Sequence, residues 1–228
     1  SEVVDYGKKT VIFGDSHIGR VNKKKLDFNI NGKSHIKFFS GVDSYQLKYY
    51  VTPTILKEKP DSVIIHVGSN DVNFHNAKYS TPEVIAEKIL KCAEESKSLG
   101  VEDVAISSVL IKKNLVLGKF IRNLNIVLEQ QCILGGSKFI NNNNICSNFV
   151  SDGGVHSDRL GTILLSENLM NYINRVTVEL WCSENLLEKS CSYNESLAFD
   201  DPLEKDTQVF DLLKNLRLKN VNKLIVGN

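Results

Sequence analysis

An excess of charge of one sign, paired cysteines and long apolar runs are all missing from this sequence of 228 residues. Basic residues number 28 and acidic residues 27, so the formal net charge is +1. A chain so close to neutral lacks the electrostatic signature of nucleic-acid binding, and we expect no direct nucleic-acid site. The five cysteines form no CxxC pair and no regular spacing for disulfides or zinc. A reducing compartment, intracellular and cytoplasmic, is therefore expected.

The sequence also shows no pattern typical of a membrane-spanning helix or a secretion signal. No apolar run reaches the roughly 18 residues of a membrane-spanning helix, and the first residues lack the basic and then apolar pattern of a secretion signal. The 42% of hydrophobic residues suffice for a substantial core. We expect one main domain at residues 1–175, followed by a polar, aperiodic linker or tail at 176–228.

Short β-type runs alternate with helical patterns through the first two-thirds of the chain. The sequence predicts strands at 10–13, 35–40, 62–67, 104–109 and 138–140. It predicts long helices at 44–59, 81–100, 115–134 and 160–173. This alternation is typical of an α/β sandwich of three layers around a mostly parallel, five-stranded sheet.

Three short motifs directly follow predicted strands. Ser16, in GDS after the first strand, would lie at the carboxyl edge of the sheet with its N–H near a helix start, where negative charge is favoured. Gly41 follows the second strand and permits close backbone approach. Asn70, in GSND after the third strand, could donate a side-chain hydrogen bond to an oxyanion. Taken singly, each motif also fits an ordinary turn or helix cap.

A fourth motif, DGGVHSD, precedes the last predicted helix. His156 in this motif could serve as a general base, and an aspartate close before it could fix the orientation of its ring. A surface loop with a solvated histidine is the alternative. The four motifs together favour one crevice that contains a nucleophile, a glycine, an asparagine and a histidine.

These residues, in this order, resemble the four blocks of the SGNH hydrolase family, also called GDSL-like lipases and acylhydrolases. The resemblance covers about residues 10–175 and implies a flavodoxin-like α/β fold. It implies that Ser16 is the nucleophile and His156 the base. It also implies an oxyanion hole formed by the backbone N–H groups of Ser16 and Gly41 and the side chain of Asn70.

The spacing of the aspartate departs from this family. The family usually places its aspartate three residues before the histidine, whereas Asp152 stands four residues before His156. An extra glycine could let the loop bulge so that Asp152 still reaches the imidazole, which is the reading we prefer. Alternatively, a backbone carbonyl orients the ring. Asp15 and Asp158 are nearby carboxylates whose spacing gives no better case.

The last residues, LRLKNVNKLIVGN, resemble the lead-in to the endonuclease domain of non-LTR (LINE-type) retrotransposon polyproteins. Some elements of that class carry an esterase-like domain of the SGNH type. This resemblance implies that the chain derives from a retroelement polyprotein in which an esterase domain precedes a truncated nuclease.

The sequence as a whole favours a serine esterase that hydrolyses a short-chain acyl or acetyl ester of a lipid or glycan. The rival hypothesis is a non-catalytic binding module with the SGNH fold in a retroelement protein. A metal-dependent hydrolase that uses Asp15, Asp152 and His156 is disfavoured, because their spacing is not typical of metal ligands. No cofactor or metal is expected, and the oligomeric state stays open.

Overall fold

The structure is a computed structural model that describes residues 8–30 and 32–174. Its strands are Lys9–Gly14 (β1), Lys33–Phe38 (β2), Ser62–His66 (β3), Asp103–Ser107 (β4) and Lys138–Ile140 (β5). They form one sheet in the order β2-β1-β3-β4-β5, and every neighbouring pair is parallel. The predicted α/β fold with a five-stranded sheet is confirmed.

Seven helices connect or follow the strands in the described residues. They are Ser16–Gly19 (α1), Lys23–Phe28 (α2), Ser44–Glu58 (α3), Phe74–Tyr79 (α4), Pro82–Ser98 (α5), Leu115–Gly135 (α6) and Arg159–Ile173 (α7). Polar residues start them: at α3, for example, Asp43 accepts a hydrogen bond from the Gln46 N–H, and the Gln46 side chain accepts one from the Asp43 N–H. Such caps satisfy backbone donors that a helix leaves without an acceptor.

The strands β1, β3 and β4 are buried on both faces, and their alternate side chains supply two layers of core. One face, with Val63 and Ile65 of β3 at its centre, packs against buried residues of α3, α5 and α6. The opposite face carries Ile64, and α1, α2 and α7 contact the sheet as well. The result is the predicted three-layer arrangement.

Two boundaries differ from the sequence prediction. β2 begins at Lys33 and ends at Phe38, two residues earlier than predicted at both ends. It is an edge strand that pairs only with β1, so its side chains are half-exposed and its apolar pattern is weak. The short helices α2 and α4 were not predicted, since one or two turns leave little periodicity to detect.

Within residues 8–30 and 32–174, no helix combines the length and the apolar content needed to cross a membrane. The predicted tail at 176–228, with the residues that resemble a retroelement polyprotein, lies outside the described residues. The retroelement origin therefore stays a prediction.

Replacement of Ile65 by alanine tests the central position of β3. Ile65 is fully buried, and we expect Ile65→Ala to lower the free energy of unfolding by about 2–5 kcal/mol, because it leaves a cavity in the core. The matched control is Ile126→Ala on α6, where the side chain is 54% exposed, with an expected change of about 1 kcal/mol or less. Urea unfolding measures both, and equal losses in the two variants would contradict this packing.

Candidate active site

The site lies where the three strands β2, β1 and β3 end side by side. Gly14, the last residue of β1, is level with Phe38 of β2 and His66 of β3. The N–H of Asp15 donates to the carbonyl of His66 at 3.3 Å. The loops after these three strands carry Gly41, Ser16 and Asn70, and they therefore start at one edge of the sheet.

A hydrogen bond joins the Asn70 loop to the Gly41 loop. The side-chain amide of Asn70 donates to the carbonyl of Val42 at 2.8 Å, which places it beside the Gly41 loop. An amide nitrogen carries two N–H groups, so Asn70 can donate a second bond to a ligand. Gly41 is exposed with φ +77°, and no atom lies within 4 Å of the position a Cβ would take. Ser16 is the first residue of α1, where the backbone N–H has no acceptor in the helix.

Two buried ionisable side chains, Asp71 and Lys112, hold the Asn70 loop. The Asp71 carboxylate accepts hydrogen bonds from the N–H of Ser44 at 2.9 Å and from its hydroxyl at 2.5 Å. The ammonium group of Lys112 donates to the carbonyls of Ser69, at 2.8 Å, and Val72, at 2.6 Å. Burial raises the pKa of Asp71 and lowers the pKa of Lys112. Lys112 was not predicted to be part of the site, because a lysine in a loop is normally solvated.

A buried carboxylate and imidazole flank Ser16. Asp15 is 0% exposed and His17 is 1% exposed. His17 Nδ1 lies 3.0 Å from Asp15 Oδ1, which also accepts the His17 backbone N–H at 2.9 Å. Burial acts to raise the pKa of Asp15, but the hydrogen bonds from His17 and the charges of His17 and His66 outweigh it, so the pKa lies below its ordinary value. Asp15 is therefore a buried carboxylate that stays ionised at neutral pH.

His156 lies in the loop that packs against this pair. Its carbonyl accepts a hydrogen bond from the N–H of Ser151 at 2.8 Å, which closes the loop. His17 Nε2 lies 3.3 Å from the carbonyl oxygen of Val155. The ring centroids of His17 and His156 are 5.2 Å apart, in an edge-to-face arrangement at 61°. These contacts bring His156 next to the helix start that carries Ser16.

The charges around His156 favour its neutral form. Burial lowers its pKa, and the positive charges of His17, Arg20 and Lys112 lower it further, whereas the charge of Asp15 opposes them. A histidine whose pKa lies below the ordinary 6.5 is neutral at neutral pH. His156 can then accept a proton, as a general base must.

Asp152 lies away from this ring in the structure. Its side chain is fully exposed and pairs with the ammonium group of Lys113 at 3.2 Å. Gly154, at φ +72°, completes the turn that puts Asp152 at the exposed tip of the loop. His156 Nδ1 is buried and, among the described residues, has no hydrogen-bond partner. The catalytic role of Asp152 stays a prediction that its placement here does not support.

The described residues contain one group of three side chains whose ligand atoms could meet at a metal ion. It consists of Asp15, His17 and His66, with ligand atoms within 4.8 Å of one another. His66 Nδ1 pairs with the Ser107 hydroxyl at 3.0 Å, and His17 Nδ1 pairs with Asp15. These side chains already form a hydrogen-bonded network. Carboxylate and imidazole are also zinc ligands, and assays of this protein therefore need a chelator control.

An open cavity of about 420 Å³ adjoins Gly41. Phe39 and Tyr50 stack in its wall with ring centroids 3.8 Å apart. The other lining residues are Ser40, Gly41, Val42, Gln46 and Tyr49. Aromatic walls with a few polar groups are typical of sites that bind small molecules.

Comparison with solved structures identifies the class of fold. No protein-family model and no curated protein matches the sequence. The fold is that of GDSL-like lipases and acylhydrolases. A GDSL-like lipase from Bacteroides thetaiotaomicron is similar over 77% of this chain and 92% of that chain, with a TM-score of 0.64 and 20% identity.

Two further solved structures are similar to a comparable degree. A lipase/acylhydrolase from Enterococcus faecalis covers 73% of this chain and 95% of its own length, with a TM-score of 0.62 and 18% identity. An acetylxylan esterase from Geobacillus stearothermophilus is similar over 74% of this chain and 94% of that chain, with a TM-score of 0.60 and 19% identity. At these identities, the likeness establishes the fold.

The buried His66 predicts a loss of stability in acid. Burial lowers its pKa from the ordinary 6.5 to about 4, so the unfolded chain binds a proton in this range that the folded chain does not. The free energy of unfolding therefore falls as the pH drops from 6.5 to 4, by on the order of 3 kcal/mol from this group. Urea unfolding of the protein and of His66→Asn across this range measures it, and His75→Asn, at an exposed histidine, is the control. Equal pH slopes in the protein and His66→Asn would contradict the assignment.

Proposed function

We propose that this protein hydrolyses carboxylic esters, with Ser16 as nucleophile and His156 as general base. The observation that carries the proposal is the meeting of four loops at the carboxyl edge of the sheet. Asn70 is hydrogen-bonded to the Gly41 loop, and the His156 loop contacts the residue next to Ser16. The likeness in fold to lipases and an acetylxylan esterase supports the same reaction class.

In the first half of the reaction, Ser16 Oγ attacks the carbonyl carbon of the ester while His156 takes its proton. The carbonyl oxygen becomes an oxyanion. It accepts hydrogen bonds from the backbone N–H groups of Ser16 and Gly41 and from the second N–H of Asn70. His156 then gives its proton to the leaving alcohol, the ester C–O bond breaks, and the acyl group stays on Ser16.

In the second half, water attacks the acyl group on Ser16 and His156 takes a proton from that water. The tetrahedral intermediate again places its oxyanion against the same three donors. Its collapse breaks the bond to Ser16 Oγ, which recovers a proton from His156, and releases the carboxylic acid. The lowered pKa of His156 suits this role, because the ring must be neutral at the start of each half-reaction.

The substrate in this proposal is a small ester with a short acyl group, such as an acetylated glycan or lipid. An open cavity of about 420 Å³ adjoins Gly41, one of the proposed oxyanion donors. In this proposal it accepts the groups next to the ester carbonyl. The exposed tyrosines in its wall offer apolar ring surface as well as polar hydroxyl groups, so the cavity suits a partly polar substrate.

Hydrolysis of p-nitrophenyl acetate with a chelator present tests the proposal. We expect Ser16→Ala to lower kcat by at least about 1,000-fold, because the acyl acceptor is lost. Asn70→Ala should lower kcat by about 100- to 1,000-fold, because one oxyanion donor is lost. Turnover should be faster with p-nitrophenyl acetate than with p-nitrophenyl octanoate.

Ser147→Ala serves as the matched control, since Ser147 is exposed in the short 3₁₀ turn Ser147–Phe149. Its kcat should equal that of the unchanged protein. Turnover that persists in Ser16→Ala would refute the serine mechanism, and turnover that the chelator abolishes would point to metal chemistry. A folded protein that hydrolyses none of several acyl lengths would refute the esterase proposal and favour the binding module.

A further inference from the structure

A general base of this kind needs a neighbour that fixes the plane of its ring, and the residue expected from the sequence is not that neighbour here. The Asp152 carboxylate is in solvent beside Lys113. The Nδ1 atom of His156 is buried and has no partner among the described residues. Something other than a direct carboxylate contact must therefore hold the His156 ring.

The ring of His17 meets that of His156 edge to face, with the ring centroids 5.2 Å apart. His17 also reaches the backbone directly before the base, since its Nε2 lies 3.3 Å from the Val155 carbonyl oxygen. It thus contacts His156 through the ring and the preceding peptide.

Asp15 fixes His17 in turn. Its Oδ1 accepts from both the backbone N–H and the Nδ1 of His17, at 2.9 and 3.0 Å. Both side chains are at most 1% exposed, so neither has room for another rotamer. Both ring nitrogens of His17 thus lie near oxygen atoms, Nδ1 near Asp15 and Nε2 near Val155.

We propose that Asp15 and His17 form a buried positioning pair that orients His156, in place of a carboxylate in the loop of the base itself. The carboxylate holds His17, and His17 supports the Val155 peptide and packs against the His156 ring. Both residues are neighbours of Ser16 in sequence, so the pair couples the positions of nucleophile and base. This inference rests on the proposed esterase function.

Kinetics of p-nitrophenyl acetate hydrolysis in the full chain, with chelator present, test the pair. His17→Gln removes the contact between Asp15 and the His156 loop. We expect kcat to fall about 10- to 100-fold, because misplacement of a reacting group acts mainly on the chemical step. KM should change by less than about 3-fold. Asp15→Asn, close in shape, should lower kcat in the same direction. Asp152→Asn should change kcat by less than about 3-fold. His75→Gln is the control for the histidine change and should match the unchanged protein.

The pH profile separates positioning from simple loss of structure. His156 is surrounded by the charges of His17, Arg20, Asp15 and Lys112. Removal of the His17 charge should move the acid limb of kcat/KM to higher pH, because that charge lowers the pKa of His156. If a variant only contained less folded protein, its apparent kcat would be smaller but the acid limb of its kcat/KM profile would stay at the same pH. Thermal unfolding of each variant checks the folded fraction.

Two results would overturn the positioning pair. One is a His17→Gln protein with unchanged kcat and an unmoved acid limb. The other is a fall in kcat for Asp152→Asn as large as that for His156→Ala, which would show that Asp152 orients the base after all. Failure of the esterase proposal looks different, because then the unchanged protein has no turnover or Ser16→Ala keeps it.

Discussion

The position of β1 between β2 and β3 is the constraint on which the rest of this site depends. Parallel strands bring their carboxyl ends to the same edge, so the loop after a central strand has a neighbouring loop on each side. Ser16 follows β1 directly, and the loops with Gly41 and Asn70 follow the strands beside it. The hydrogen bond from Asn70 to Val42 joins those two loops across the end of β1. The proposed nucleophile and the proposed oxyanion donors thus lie at one edge of the sheet.

Buried charges keep these loops in place. Burying a charge is unfavourable unless partners compensate it, and each of these charges has partners: Ser44 for Asp71, two backbone carbonyls for Lys112, and His17 for Asp15. Loss of one partner from a buried charged pair costs about 3–5 kcal/mol. Such contacts specify a loop conformation more sharply than apolar packing does. Two of these groups also act on His156: burial is the main cause of its lowered pKa, the charge of Lys112 lowers that pKa further, and the charge of Asp15 opposes them.

Strong local patterns made the fold predictable. β3 is a continuous apolar run buried on both faces, and the capping residue Thr81 with Pro82 marks the start of α5. Pairings between distant residues left no such pattern. Nothing in the spacing of DGGVH showed that Asp152 would face solvent, and nothing near Asp15 showed that its carboxylate would be buried against His17. Such contacts follow from how a loop closes in three dimensions, which a single sequence does not encode locally.

The most direct test of the central claim is covalent labelling of the nucleophile. The full chain is treated with a fluorophosphonate, which reacts with activated serines, and the modified residue is located by peptide mass spectrometry. The account predicts one adduct per chain, on Ser16, that is absent in Ser16→Ala and forms much more slowly in His156→Ala. Two results would contradict Ser16 as the nucleophile. One is an unlabelled Ser16 in a folded protein that hydrolyses esters, and the other is an adduct on another serine that forms at the same rate as activity is lost.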